Sequence, residues 1–383
     1  MLKKFLAKKW SHPLLFLLTL GTTTCSGSMH QNIWTAKNFT TEDLQDPGIA
    51  FFLSGLYFSL SFLFILSVHE FGHYFTAKYH KVKATLPYYI PLIFPFKGLQ
   101  IGTMGAVIAM KERIKSKKQI FDVGIAGPLA GFVAAILLLS YGFTHLPSPE
   151  KIYEIHAEYE QYGTDYAQHV YANAKEEGAI KIGTNLIFEF FKHYVAESPD
   201  LVPNSYELMH YPFLFAGFLS LFFTALNLFP IGQLDGGHVL YGLIGYRKFK
   251  TVSKIVFTLL VTFAGIGLPF LSPYQSENTF SFILYLALYV YFVYFVYQKV
   301  VDTRQTAILF AVAIVFFQFV LKVYFPTLEG YNGWLVYCIL LSRVLGVYHP
   351  KAEIEEPLDL KRKILGWVSL VIFILCFSPQ PLQ

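Results

Sequence analysis

His69-Glu70-Phe71-Gly72-His73 places two imidazoles four residues apart, with a carboxylate between them. On a helix, positions i and i+4 share one face, so both rings can converge on one cation of the zinc type. Glu70 then stands beside that cation, placed to take a proton from water. The apolar run 51–68 that leads into the motif carries no charge. Hydrocarbon excludes water, so a hydrolytic centre at that depth implies a target already in the membrane. Burying two His and a Glu without partners is unfavourable, which argues against an accidental trio on a membrane helix.

A catalytic zinc normally has three protein ligands and one open position. His69 and His73 supply two, and the best third candidate is Asp235, in Asn227-Leu228-Phe229-Pro230-Ile231-Gly232-Gln233-Leu234-Asp235-Gly236-Gly237-His238. Pro230, Gly232, Gly236 and Gly237 predict a broken helix, tolerated at membrane depth where protein or a water-filled cavity surrounds it. An intramembrane Asp without a partner is costly and reads as functional. The alternative is a turn residue at the interface, since Asp-Gly is a common turn pair. Asn227 has its own alternative, a cap or a hydrogen bond between helices. His238, after two glycines, is read as structural, and His349 as a loop residue.

Elements that position these residues must suit lipid. Aromatic residues make up 18% of the 383 and charged residues 14%, with mean hydropathy +0.46. This excludes a soluble globule and a disordered chain, and predicts a polytopic membrane protein. The net charge of +5 matters less than its placement, because Lys and Arg in short loops mark the cytoplasmic side. No basic-aromatic surface suggests nucleic acid. Cys25, Cys338 and Cys376 are scattered and form neither a disulfide framework nor a metal site.

The basic amino terminus precedes an apolar stretch near Leu14 to Leu20, read as an uncleaved first span. A second span, about Pro47 to Ala77, runs inward to Lys78, Lys81 and Lys83, which puts the His-Glu motif near the cytoplasmic face. A third runs from about Ile120 to Leu146. Residues 147–207 hold eleven Asp or Glu against four Lys and read as an acidic external loop with helical pieces. A fourth span starts near Met209 and returns before Arg247, Lys248 and Lys250, so Asp235 falls on the side of the histidines. Five more stretches lie near Ile255, Ser281, Ala307, Gly333 and Leu365. The expected fold is an all-α polytopic membrane protein of about nine transmembrane helices. Its regions are 1–46, the first span and an external segment; 47–146, the metal-bearing helix, a re-entrant segment and the central span; 147–207, the acidic loop; 208–250, the Asn/Asp span; and 251–383, the C-terminal helices.

Between Leu86 and Met110, Pro87, Pro91, Pro95, Gly98, Gly102 and Gly105 would spoil a spanning helix. Leu99-Gln100-Ile101 and Ala106 to Met110 have strand character. This predicts a re-entrant, β-hairpin-like segment near the active site, where Gly102, Thr103, Gly105 and Ala106 offer an unwound substrate an edge. An amphipathic interfacial loop is the alternative. Gly127, Pro128 and Gly131 predict close packing of the third span on the metal-bearing helix.

With the His-Glu motif, the Asn227-Leu228-Phe229-Pro230 run and Leu234-Asp235-Gly236-Gly237, the chain resembles the site-2 protease family of intramembrane zinc metalloproteases. Phe121 to Phe132 resembles the family's central span. Gly102 to Ile108 and the tail from His349-Pro350 to Phe377-Ser378-Pro379 look like the bacterial and chloroplast subgroup without a PDZ domain. The resemblance implies that His69, His73 and Asp235 bind Zn2+ and that Glu70 is the general base. Asn227 would hold the substrate carbonyl or its developing oxyanion. It further implies hydrolysis of a peptide bond in or near the transmembrane segment of a membrane-protein substrate, as in regulated intramembrane proteolysis. The expected partners are that substrate and the lipid bilayer, in a bacterial inner membrane; no oligomeric state is specified. A metal transporter is the first rival, but inverted repeats and a path of ligands are not evident. A non-catalytic membrane-protein chaperone is the second, and the intact Glu70 argues against it.

Overall fold

The computed structural model describes residues 8–32, 48–92, 100–172, 179–271 and 279–383. The first basic residues, Lys3 and Lys4, the segment 33–46, Pro47, and Pro95, Gly98 and Leu99 lie outside the described residues. Among the described residues, the nine longest helices carry the architecture: α1 (Ser11–Asn32), α2 (Leu56–Tyr79), α3 (Lys117–Thr144), α4 (Pro212–Asn227), α5 (Asp235–Ile266), α6 (Thr279–Tyr297), α7 (Arg304–Tyr324), α8 (Trp334–Leu345) and α9 (Leu360–Cys376). In α2 only Ile65, Val68 and Thr76 are β-branched, but the helix is rich in Phe and Tyr, so its stability comes from packing its faces rather than from intrinsic propensity.

Among the described residues, five helices are long and apolar enough to cross a membrane: Phe52–Tyr79, which contains α2, and α3, α5, α6 and α7. The protein is thus a mostly helical membrane protein, and the expected nine crossings are not all of this kind. Thr and Ser dilute α1, where Thr23, Thr24 and Ser26 hydroxyls return to carbonyls three or four residues back. The expected fourth span is α4 followed by a turn and the first part of α5. The stretch near Ile255 is not a separate helix but the later part of α5, after a backbone break at Gly245 (φ 73°, ψ 168°).

The chain forms two compact units. The first comprises 1–113, 126–226 and 372–383. In it α1 crosses α2 at glycines: a Cβ on Gly27 would lie 2.6 Å from the Gly55 carbonyl oxygen. That close approach lets the Thr23 and Ser59 hydroxyls share a hydrogen bond of 2.6 Å. Strands β1 (Tyr88–Pro91) and β2 (Thr103–Val107) pair antiparallel, Tyr88 opposite Val107 and Tyr89 opposite Ala106, with an irregularity between Tyr89 and Pro91. The acidic segment holds short helices, including Leu186–Tyr194, whose cap Asn185 accepts from the Phe188 amide at 2.9 Å. There Tyr171 donates to Glu207, and burial, then that carboxylate, holds the Tyr171 hydroxyl above the ordinary phenol range. The tail returns to this segment through reciprocal Gln383–Lys181 backbone bonds of 2.8 Å.

The second unit comprises 114–125 and 227–371. The buried Gln318 amide of α7 donates to the Val261 and Thr262 carbonyls of α5 and to the Tyr289 hydroxyl of α6, at 3.0, 3.1 and 3.0 Å. One side chain of α7 is thereby tied to both α5 and α6. Arg362 grips Asp122 through two bonds of 2.7 Å, a planar fork matched to a carboxylate.

Candidate metal centre

The site begins with α2, where helical periodicity puts His69, Glu70 and His73 into the interior of the first unit, 7%, 6% and 7% exposed. The two Nε2 atoms stand 3.1 Å apart and the rings meet edge to face, centroids 4.8 Å apart. Donors bound at about 2.0–2.1 Å to a tetrahedral cation lie roughly 3.3 Å from each other, so this pair fits a single divalent ion of the zinc class. Glu70 Oε1 lies 4.0 Å from His69 Nε2, beside the pair and not between its nitrogens. That leaves the carboxylate to act as a base next to an ion.

Glycines of α3 allow this crowding. A Cβ on Gly127 would come 2.2 Å from His73 Nε2, and one on Gly131 would come 3.1 Å from His69 Cβ. From the other side, a Cβ on Gly72 would fall 2.7 Å from the Ala126 carbonyl oxygen. The expected packing of Gly127 and Gly131 on the metal-bearing helix is what the structure has. Side chains there would push the imidazoles out of place.

The β-hairpin is fastened to the same helix. Ser67, two residues before His69, shares a hydrogen bond of 2.6 Å with the Tyr89 hydroxyl of β1. From α1, Thr22 donates to the Gly102 carbonyl at 2.6 Å. Gly102 (φ +83°) and Thr103 are buried, and Thr103 donates to the Ile90 carbonyl at 2.8 Å across the hairpin. Gly105 (φ +96°) has nothing within 4 Å of a would-be Cβ, and Met104 is 65% exposed. Among the described residues β2 pairs only with β1, so its other edge has no partner strand. Sequence reasoning missed the Ser67–Tyr89 and Thr22–Gly102 ties, because no fixed spacing marks a hydroxyl that bonds to a distant element.

In the second unit, Asn227 is the last residue of α4 and Asp235 the first of α5. Between them the chain turns tightly. Gly232 takes φ +62°, and a Cβ there would lie 1.9 Å from the Gly346 carbonyl oxygen. One on Gly236 would lie 1.9 Å from the Leu228 carbonyl oxygen. The glycines that predicted a broken helix are thus where backbone meets backbone. Asp235 stands at a helix N-terminus, where a carboxylate is favoured by the unpaired N–H groups. His238 packs on the His349 ring at 4.8 Å, in keeping with a structural role. His349 lies outside helix and strand, as expected of a loop residue, and is buried and stacked on Tyr241.

The family model for peptidase family M50 matches residues 57–268, more than half of the chain and a span that includes the His-Glu motif, α3, Asn227 and Asp235. The chain belongs to peptidase family M50. This bears out the resemblance to the site-2 protease family. The M50 chain is 26% identical over 256 residues to the probable zinc metalloprotease EGY1, chloroplastic, of Arabidopsis thaliana, covering 64% of this chain and 42% of the relative. It is 28% identical over 265 residues to the protein of the same description from Oryza sativa subsp. japonica, covering 64% and 40%. A match to the probable zinc metalloprotease EGY2, chloroplastic, of Oryza sativa subsp. indica has 26% identity over 206 residues, covering 54% and 32%. The chain thus spans about two fifths of the length of the first two. No solved structure matches it. The relatives are chloroplastic by name and lend no support to the expected bacterial inner membrane.

Proposed function

We propose that this M50 chain is an intramembrane zinc metalloprotease of the site-2 type, hydrolysing a peptide bond in or near the transmembrane segment of a membrane-protein substrate. The observation that carries the reading is the pair of Nε2 atoms 3.1 Å apart, with Glu70 beside them, on a buried face of an apolar helix. The names of the chloroplastic relatives, probable zinc metalloproteases, support it.

His69, His73 and Asp235 hold the zinc in this reading, two neutral nitrogens and one carboxylate, a ligand set of the kind catalytic zinc uses. When bound, zinc supplies Lewis acidity, which lowers the pKa of water and polarises the scissile carbonyl. Glu70 takes a proton from the attacking water and delivers it to the departing amine. The Asn227 amide donates to the carbonyl oxygen as charge develops on it. A helical substrate hides its carbonyls, so it must unwind before attack. The open edge of β2, at Gly105 and Ala106, receives the unwound segment as an added strand, while Gly102 and Thr103 shape the hairpin behind it.

The hairpin is re-entrant in this account, and the centre lies near the cytoplasmic face, as the Lys and Arg placement suggests. Adding α1, α4, α8 and α9 to the five long apolar helices brings the crossings to nine. Regions 1–46, 47–146, 147–207, 208–250 and 251–383 then serve as anchor, metal-bearing core, external loop, Asn/Asp turn and lipid-facing helices.

The test uses the purified full chain in lipid bilayers with a single-span substrate carrying a helix-destabilising stretch. Glu70→Gln is expected to retain zinc and lose cleavage. Cleavage by that variant at the wild-type rate would overturn the assignment. A transporter would instead carry zinc into vesicles, with or without Glu70.

A further inference from the structure

A second constellation lies in the first unit and shares no residue with the α2 pair. Glu207 caps the 3₁₀ turn Leu208–His210 that leads into α4. Residues three apart eclipse in such a turn, so Glu207 and His210 point the same way. His156, which ends the short helix Lys151–Ile155, comes to meet them. The three side chains are 1% exposed or less. His210 Nε2 lies 3.3 Å and His156 Nε2 3.7 Å from Glu207 Oε2, and the two Nε2 atoms are 3.4 Å apart.

The outward ring nitrogens face acceptors. His210 Nδ1 meets the His30 carbonyl, so it must donate, which leaves the Nε2 lone pair aimed inward. His156 Nδ1 faces the Glu158 carboxylate at 3.6 Å. Glu207 Oε1 accepts from the Tyr171 hydroxyl, while Oε2 is buried with no hydrogen-bond partner. Imidazoles held from behind by a carbonyl or a carboxylate are the usual support of metal ligands. The bland alternative is one shared proton, but a proton bridges one of these three contacts and leaves two lone pairs facing each other. A divalent cation at bonds of about 2.0–2.2 Å answers all three, and donors around it lie roughly 3.3 Å apart.

We propose that His156, Glu207 and His210 bind a second divalent cation of the zinc class, which staples the acidic segment to the start of α4. Its burial makes the role structural. The site needs nothing from the His69 and His73 pair and would stand if the proteolytic reading fell.

The experiment counts metal by mass spectrometry in the full chain, purified in detergent with equimolar zinc. The double variant His69→Ala/His73→Ala is expected to keep about one zinc per chain, and adding Glu207→Gln to bring it below about 0.1. Chelation is expected to lower the thermal midpoint of the double variant but not of the triple variant. Should the triple variant fail to fold, Glu207→Gln in the otherwise intact chain must take the content from two to one. A folded double variant that holds no zinc and ignores chelator would overturn the inference. A single wild-type zinc lost on Glu207→Gln but kept on His69→Ala/His73→Ala would support this site and refute the catalytic one.

Discussion

Gly127→Ala adds one methyl group at the point where α3 meets the His73 ring. The added Cβ would lie 2.2 Å from Nε2, 2.5 Å from Cδ2 and 2.6 Å from Cε1 of His73. The whole ring must therefore retreat by about 1.2 Å to reach an ordinary contact of 3.4 Å. The imidazole is buried against His69 and cannot swing into open space. Helix propensity favours Ala over Gly by about 1 kcal/mol, and overpacking costs about 1–3 kcal/mol, so the fold survives within a narrow margin. The centre does not. A displacement of about 1 Å at a catalytic group costs on the order of 100-fold in rate. Gly131→Ala is the matched control, since its Cβ would meet His69 Cβ at 3.1 Å and needs a shift of only a few tenths of an ångström. Zinc bound beyond the one at His156, Glu207 and His210, and cleavage of a single-span substrate, measured on both variants in one lipid mixture, are expected to fall steeply for Gly127→Ala and less than about tenfold for Gly131→Ala. A folded Gly127→Ala protein with wild-type zinc and rate, or a reversed order of the two, would refute the reasoning.

Three further outcomes follow from the same site. Asp235→Ala is expected to lose the zinc between His69 and His73, and to keep the one at His156, Glu207 and His210, at free concentrations that saturate wild type, read by metal analysis after dialysis. Asn227→Ala is expected to lower kcat on the order of 100-fold with zinc content unchanged, as for loss of one oxyanion donor; equal loss of zinc would make it a structural residue. Met104→Pro, at the exposed edge of β2, is expected to slow cleavage at least tenfold with an unchanged thermal midpoint, and unaltered cleavage would remove strand addition from the account.

The chemistry was legible where it depends on short spacing. His69, Glu70 and His73 sit on one helix, and period 3.6 alone brings the imidazoles to one face. The break before Asp235 was legible too, because Pro230, Gly232 and Gly236 resist helix and the turn there brings backbone against backbone. Hydropathy was a poorer guide to element boundaries. It ran α4 into α5 across the turn and split α5 at Arg247, Lys248 and Lys250, although the helix passes through these charges with a break at Gly245. Hydroxyl partners escaped notice: Thr22, Ser67 and Tyr89 bind groups on other elements, and their own neighbours in the sequence do not reveal it. His156 and Glu207 escaped for the same reason, since with 50 residues between them they are brought together only by folding.

The most direct test of the account is anomalous diffraction at the zinc edge from crystals of the full, zinc-replete chain. Besides the peak inferred at His156, Glu207 and His210, a peak is expected at about 2.0–2.2 Å from His69 Nε2, His73 Nε2 and an Asp235 carboxylate oxygen, with Glu70 beside it and unbound. A folded, cleavage-competent protein with no peak between the two imidazoles, or with the Asp235 carboxylate turned away from the ion, would contradict it.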